Sequence, residues 1–156
     1  MNAGAGETVA NLAVVPVGPD GRLCVYASAA TDVVVDLLGT AGAAGLRFQA
    51  AAPVRLLDTR DGTGGWVGRP AAFEVLDLPA VPGAAALALT VASVAPDADG
   101  FTTVYPCAAE RPVASNLNAP AWSTATANAV VVASPACVVA QRRAHEVVDL
   151  AGWWLT

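Results

Sequence analysis

The sequence of residues 124–152 is TATANAVVVASPACVVAQRRAHEVVDLAG, and residues 8–39 carry a second version of it, TVANLAVVPVGPDGRLCVYASAATDVVVDLLG. This repetition decides the interpretation of the fold. The matched residues are Asn11 and Asn128, Cys24 and Cys137, Asp36 and Asp149, and Gly39 and Gly152. The offset is 117 residues in the first block and 113 in the second. The difference falls in one turn signal, Gly18–Gly21, and surface turns tolerate deletion. We therefore interpret the two stretches as two copies of one hairpin, called copy 1 (8–39) and copy 2 (124–152).

The two copies have different surroundings in the chain. Residues 48–122, called the front half, precede copy 2, and nothing equivalent precedes copy 1. The sequence therefore predicts a complete repeat unit over residues 45–156 and only the back half of another unit over residues 1–44.

Short apolar runs that are separated by turn residues recur along the chain and favour strands over helices. Their lengths and spacing predict an all-β fold, an antiparallel β-sandwich or barrel-like module of short strands. The Ala-rich run 84–92 has helical propensity, but Leu87, Leu89 and Val91 alternate with smaller residues, which favours a strand. The expected strands are Val9–Val17, Leu23–Ala27, Val33–Leu38, Phe73–Leu78, Leu87–Val94, Thr102–Tyr105, Asn128–Ala133, Cys137–Gln141 and Glu146–Leu150.

Composition excludes several classes of protein. With 55% apolar and 13% charged residues, the chain has too much hydrophobicity for a disordered protein. A net charge of −5, without any large Arg cluster, argues against nucleic acid as a partner. No apolar run reaches the roughly 20 residues that span a bilayer, so we expect no membrane insertion. Residues 1–7 lack the features of a signal peptide, so the chain is either cytosolic or a piece whose signal lies elsewhere.

Several motifs resemble a repeat module of actinobacterial secreted and cell-surface proteins. The resemblance covers essentially the whole chain, and it implies an extracellular or cell-surface setting, often in tandem arrays or beside a hydrolase. It implies no known activity, cofactor or catalytic residue. The motifs, in chain order, are Arg-Leu-Leu-Asp-Thr-Arg (55–60), Thr-Val-Tyr-Pro-Cys (103–107), Ser-Asn-Leu-Asn (115–118) and Val-Val-Asp in both copies (34–36 and 147–149).

In the resembling module, the Cys of the Tyr-Pro-Cys strand pairs with the Cys of the following hairpin. The resemblance therefore implies a disulfide between Cys107 and Cys137 and leaves Cys24 without its partner. The alternative is three buried free thiols, since Cys is often a small core residue. Secreted modules commonly use disulfides, which favours the bond.

Polar residues of two motifs are candidates for pinning loops. Asp58 is expected to pair with Arg55 or Arg60 and to accept backbone N–H bonds. The alternative is a Ca²⁺ site at Asp58 and Asp61, although this segment lacks the ligand spacing of an EF-hand loop. In the Ser-Asn-Leu-Asn motif, Asn116 and Asn118 are likewise expected to pin a loop.

Catalysis has little support in the sequence. The one histidine, His145, lies opposite Asp32 in the copy alignment, which is hard to reconcile with an essential base, and no nucleophile elbow or phosphate loop is present. We expect no enzyme activity and no cofactor.

Two function classes remain. The first is a structural or assembly module whose partners are itself or neighbouring repeat domains, joined by strand addition. The second is a carbohydrate- or cell-wall-binding module that uses exposed Trp66 and Trp122, although buried tryptophans are more common.

Overall fold

The computed structural model describes residues 4–13, 15, 17–40, 42 and 44–155. Eight strands form two antiparallel four-stranded sheets, and no helix occurs among these residues. The all-β sandwich architecture is thereby confirmed. The strands are β1 (Phe48–Asp58), β2 (Val75–Asp77), β3 (Ala84–Val94), β4 (Gly100–Pro106), β5 (Leu117–Ala119), β6 (Thr126–Ala133), β7 (Ala136–Ala140) and β8 (His145–Leu155).

The first sheet has the order β1-β8-β3-β6, and the second has the order β2-β7-β4-β5. Strand β3 shows why these sequences form strands: Leu87, Leu89 and Val91 are buried, while the residues between them are more exposed. Such alternation gives one apolar face, which must be covered by a second sheet. The Ala-rich run 84–92 is therefore part of a strand.

The inward faces of both sheets form one apolar core. Leu57 and Val148 come from the first sheet, Leu76 and Val138 come from the second, and all four are essentially inaccessible to solvent. A smaller cluster of Tyr105, Cys137 and Val139, with Cys107 packed against it, lies outside this core.

Copy 2 forms strands, but they do not pair with one another as a hairpin. Strand β6 lies at the edge of the first sheet beside β3, β7 lies between β2 and β4, and β8 lies between β1 and β3. The chain crosses from one sheet to the other at Ser134 and Pro135 and crosses back after Ala140. Each strand thus pairs with the front half, because only the front half supplies neighbours on both sides of β7 and β8.

Copy 1 differs from the expectation. The described residues between Gly4 and Arg47 contain no strand, so the strands expected at Val9–Val17, Leu23–Ala27 and Val33–Leu38 are wrong for this part of the chain. Val14 and Pro16 lie outside the described residues. The physical reason is the number of positions available. The front half has one place for β7 and one for β8, and copy 2 fills both.

Two strands of the front half were absent from the sequence prediction. Strand β1 contains Pro53 within a break in its register with β8, between Ala50 and Val54, and β5 has only three residues. Among the described residues no helix is long and apolar enough to cross a bilayer.

Candidate functional site

The Arg-Leu-Leu-Asp-Thr-Arg motif ends β1 and places a buried carboxylate between two arginines. Asp58 accepts hydrogen bonds from Arg60 Nε at 2.9 Å, from Arg60 Nη2 at 2.7 Å and from the Arg60 backbone N–H at 3.0 Å. The guanidinium of Arg55 also contacts Asp58. These bonds, those from Arg60 above all, hold the pKa of Asp58 well below its usual range.

Arg55 extends this cluster to the neighbouring strand. Its Nε donates to Asp149 Oδ1 at 2.5 Å, and its Nη2 donates to Asp149 Oδ2 at 3.3 Å. The two residues are direct partners in the β1–β8 ladder. Asp149 is one of the residues that copy 2 shares with copy 1, where its match is Asp36. The cluster therefore fixes β8 against β1.

The carboxylates of the alternative Ca²⁺ site already accept hydrogen bonds from protein groups. Both oxygens of Asp58 accept bonds from arginines, and Asp61 Oδ1 accepts the Thr63 backbone N–H at 2.9 Å. No group of three or more metal-binding side chains occurs in the part of the chain that the structure describes. The carboxylates of this loop therefore bind arginine side chains and backbone N–H groups of the same chain.

A second polar cluster, which the sequence analysis missed, is centred on Glu146. This residue of β8 is fully buried, and Ser93 Oγ of β3 donates to its Oε1 at 3.0 Å. Thr102 Oγ1, on β4 of the opposite sheet, lies 3.3 Å from its Oε2. Burial raises the pKa of Glu146 to about 8, against the opposing effect of the two hydroxyls. The side chain is therefore a neutral acid at neutral pH, and it bonds one sheet to the other.

Thr59 connects the two clusters. Its Oγ1 accepts the Glu146 backbone N–H at 3.1 Å and lies 3.1 Å from His145 Nδ1. Burial lowers the pKa of His145, and the charge of Arg69 lowers it further. Thr59 is completely buried, so its hydroxyl is out of reach of a substrate. The hydroxyl–imidazole contact therefore serves the packing of β8 against the loop after β1.

The Ser-Asn-Leu-Asn motif fixes the approach to β5. Asn116 Oδ1 accepts the Val104 backbone N–H at 2.7 Å, and the Asn116 carbonyl accepts from Asn128 Nδ2 at 2.7 Å. Asn116 thus joins β4 to the start of β6. Asn118 lies in β5 opposite Phe101 and borders an open groove of about 590 Å³ beside residues 6–10.

Cys107 and Cys137 form a disulfide, which confirms the expected bond. It joins the end of β4 to β7, and its two Cα atoms are 5.0 Å apart. Cys24 is a free, exposed cysteine. The alternative of three free thiols is thereby excluded.

The structure separates the two candidate tryptophans by their environment. Trp66 is half-buried and packs against the main core, whereas Trp122 is 70% exposed. The backbone of Trp122 is held by a hydrogen bond from its N–H to the Pro96 carbonyl at 2.8 Å. Only Trp122 of this pair presents most of its surface to solvent.

The polar side chains of both clusters thus bond to one another and tie β8 to its neighbours. The open groove beside residues 6–10 is lined by none of the side chains of either cluster. No family model, curated protein or solved structure matches the chain.

Proposed function

We propose that this chain is a non-enzymatic structural module of an extracellular or cell-surface protein, and that copy 1 joins it to a neighbouring repeat unit by strand addition. One observation carries the proposal: copy 1 has the sequence of core strands but lies exposed. Val25 and Val35 are 60% and 64% exposed, whereas their matches in copy 2, Val138 and Val148, are both 0% exposed.

The exposed apolar surface of copy 1 is extensive. A contiguous apolar segment in water is costly and is typical of a surface that another chain covers. Unpaired strand-forming sequence also offers free backbone N–H and C=O groups to a partner strand. The exposed large apolar residues of copy 1 are Val9, Val15, Val17, Leu23, Val25, Tyr26, Val33, Val34, Val35, Leu37 and Leu38.

The complete unit supports a mechanical rather than a chemical role. Its polar groups are used in internal bonds: Asp58 holds two arginines, Glu146 joins the two sheets, and Asn116 joins two strands. The disulfide adds a covalent link between β4 and β7, and disulfides persist mainly in oxidising compartments outside the cytosol. A rigid, cross-linked sandwich suits a spacer or a building block of a surface structure.

Sedimentation analysis of the full chain tests the proposal. We expect the average mass to rise with protein concentration, and we expect a chain that begins at residue 45 to stay monomeric. The shortened chain keeps all eight strands and the disulfide, so it should retain the fold. If the full chain remains monomeric at millimolar concentration, the proposed assembly role is wrong.

Carbohydrate binding is the second candidate, and the exposure of Trp122 is the observation that favours it. Aromatic rings that face solvent can stack on sugar rings, but here the suggestion rests on one ring, since Trp66 packs against the core. Tryptophan fluorescence titration with soluble cell-wall glycans should show a shift that Trp122→Ala abolishes. The same titration of Trp66→Phe separates a binding effect from a change in packing.

A further inference from the structure

We propose that copy 1 is built to fill the copy 2 site, in register, in a front half that belongs to another copy of this module. The copy 2 site is the position that β7 and β8 occupy between strands of the front half. In this arrangement Cys24 would lie beside Cys107, and Asp36 would pair with Arg55. The inference rests on the proposed assembly role and specifies the partner surface and the register.

The copy 2 site places strict demands on the strands that fill it. Strand β7 has neighbours on both sides and presents Val138 to the main core, and β8 does the same with Val148 and Leu150. On the other face of β7, Cys137 is bonded to Cys107. On β8, Asp149 pairs with Arg55.

Copy 1 has the same residue at each of these positions. Its residues match those of copy 2 in the pairs Cys24 and Cys137, Val25 and Val138, Val35 and Val148, Asp36 and Asp149, and Leu37 and Leu150. The match therefore includes all three core positions and both residues that bond to the front half.

A glycine provides independent support. A Cβ on Gly152 would lie 2.5 Å from the Phe48 ring and 2.6 Å from the Gln49 carbonyl oxygen, so the copy 2 site admits only glycine there. Copy 1 has Gly39 at the matching position, where a Cβ would meet nothing within 4 Å. Its own surroundings do not require glycine at position 39, but the copy 2 site does.

Two of the differences between the copies are compatible with the site, although Tyr26 replaces the smaller, fully buried Val139. Val33 matches Glu146, so a buried acid becomes an apolar side chain, which removes the cost of burying a carboxyl. Asp32 matches His145, whose pKa is lowered first by burial and then by the charges of Arg69 and Arg60. A carboxylate at this place would be attracted by the same two arginines.

The partner must be a second front half, because residues 4–155 contain two copies and one copy 2 site, which copy 2 already fills. In this chain the site is held by copy 2 through the disulfide. Exchange of copy 1 for copy 2 within one chain would merely expose copy 2 instead. The surplus copy therefore needs a front half elsewhere, which in a solution of identical chains it reaches by displacing the copy 2 of another chain.

Disulfide trapping between two full chains tests the inference. The donor is the wild-type chain, in which Cys24 is the free cysteine. The acceptor is the full chain with Cys24→Ser and Cys137→Ser, which keeps Cys107 and lacks the bond that holds copy 2. After mixing and mild oxidation, we expect a covalent dimer whose non-reduced digest contains the Cys24–Cys107 peptide pair.

Matched donor variants separate insertion from random thiol pairing. Val25→Asp with Val35→Asp places charges at two of the three core positions and should abolish the dimer. Val113→Asp, a similar change at an exposed position outside copy 1, should leave the yield unchanged. A missing dimer, or equal yields from all three donors, overturns the inference.

A second measurement needs no altered acceptor. The wild-type chain equilibrated in a glutathione buffer should contain a minor Cys24–Cys107 species that Val25→Asp with Val35→Asp removes, and absence of this species counts against the register. The two proposals can fail separately. If the wild-type chain associates through copy 1 without this bond, the assembly role is supported and the proposed register is wrong. If the bond forms but the wild-type chain stays monomeric, the register is supported and the proposed self-association is wrong.

Discussion

Glu146 of β8 and Thr102 of β4 meet across the sandwich, with Glu146 Oε2 3.3 Å from Thr102 Oγ1. A buried ionised carboxylate would be costly in this position, and burial accordingly raises the pKa of Glu146 to about 8. The protonated acid can donate a hydrogen bond to one hydroxyl and accept one from the other. The proton on Glu146 therefore avoids the burial of a charge at this polar link between the sheets.

The unfolding free energy should consequently depend on pH through Glu146. Between the ordinary value of 4.5 and about 8, the folded protein keeps a proton that the unfolded chain releases. The contribution of Glu146 is therefore fully present below pH 4.5 and is lost as pH rises to about 8, by up to about 1.4 kcal/mol per pH unit. Urea unfolding, followed by tryptophan fluorescence at several pH values, measures this slope.

Glu146→Gln should remove that slope, because an amide is neutral at every pH and can bond to both hydroxyls. Because the pKa of His145 is lowered, its effect on the pH dependence has the opposite sign and is present in both proteins, so the difference between wild type and variant isolates Glu146. The exposed residue Glu110 provides the control Glu110→Gln. Parallel pH profiles for wild type and Glu146→Gln would show that the acid is not coupled to folding.

Asp58→Asn should destabilise the module by about 1–3 kcal/mol, because two arginines and one backbone N–H lose a charged acceptor. Since the pKa of Asp58 is lowered, its contribution exists above the unfolded value near 4 and is lost as pH falls below it. The variant should therefore lose less stability than wild type between pH 5 and pH 3. Asp77→Asn, at an exposed position of β2, is the matched control in urea unfolding.

Cys107→Ser should destabilise the fold by about 3–4 kcal/mol, because the disulfide closes a loop between residues 30 positions apart. Reduction of the wild-type chain should lower its free energy of unfolding by a similar amount. Cys24→Ser should leave the stability unchanged, since this thiol is exposed and free. An equal effect of both substitutions would mean that the Cys107–Cys137 bond does not stabilise the sandwich.

Gly152→Ala should be strongly destabilising, since the new methyl group would overlap the Phe48 ring and the Gln49 carbonyl oxygen. Gly39→Ala should leave the melting temperature of the full chain unchanged, because nothing lies within 4 Å of the new methyl group. The same Gly39→Ala change should weaken assembly if copy 1 enters the copy 2 site. In calorimetry, Gly152→Ala should therefore lower the melting temperature and Gly39→Ala should not. In sedimentation, Gly39→Ala should reduce the association of the full chain.

Much of the sandwich could be predicted from the sequence. Strands β3, β4, β6, β7 and β8 have alternating or continuous apolar runs between turn residues, and the predicted positions overlap the observed ones. Strand β1 was missed because alanines and Pro53 interrupt it, and such a strand forms here only by pairing with β8. Its register break beside Pro53 is a tertiary property that local propensity does not contain.

The sites were predictable only in part. The loop residues around Asp58 and the Cys107–Cys137 bond followed from recognisable motifs. Glu146 was missed because its significance depends on Thr102, a hydroxyl on the opposite sheet that is 44 residues away. The strands expected in copy 1 were wrong because strand formation depends on neighbours. The same sequence pattern is buried in copy 2 and exposed in copy 1.

Amide hydrogen exchange at low and high protein concentration shows whether copy 1 donates strands to another chain. Residues 23–38 form no strand within the single chain, so their amides should exchange rapidly at low concentration. At high concentration we expect these amides to become protected, and we expect Val25→Asp with Val35→Asp to abolish the protection. Strand β8 should be protected throughout and serves as the internal reference. Rapid exchange of residues 23–38 at every concentration, alongside a protected β8, would mean that copy 1 does not donate strands.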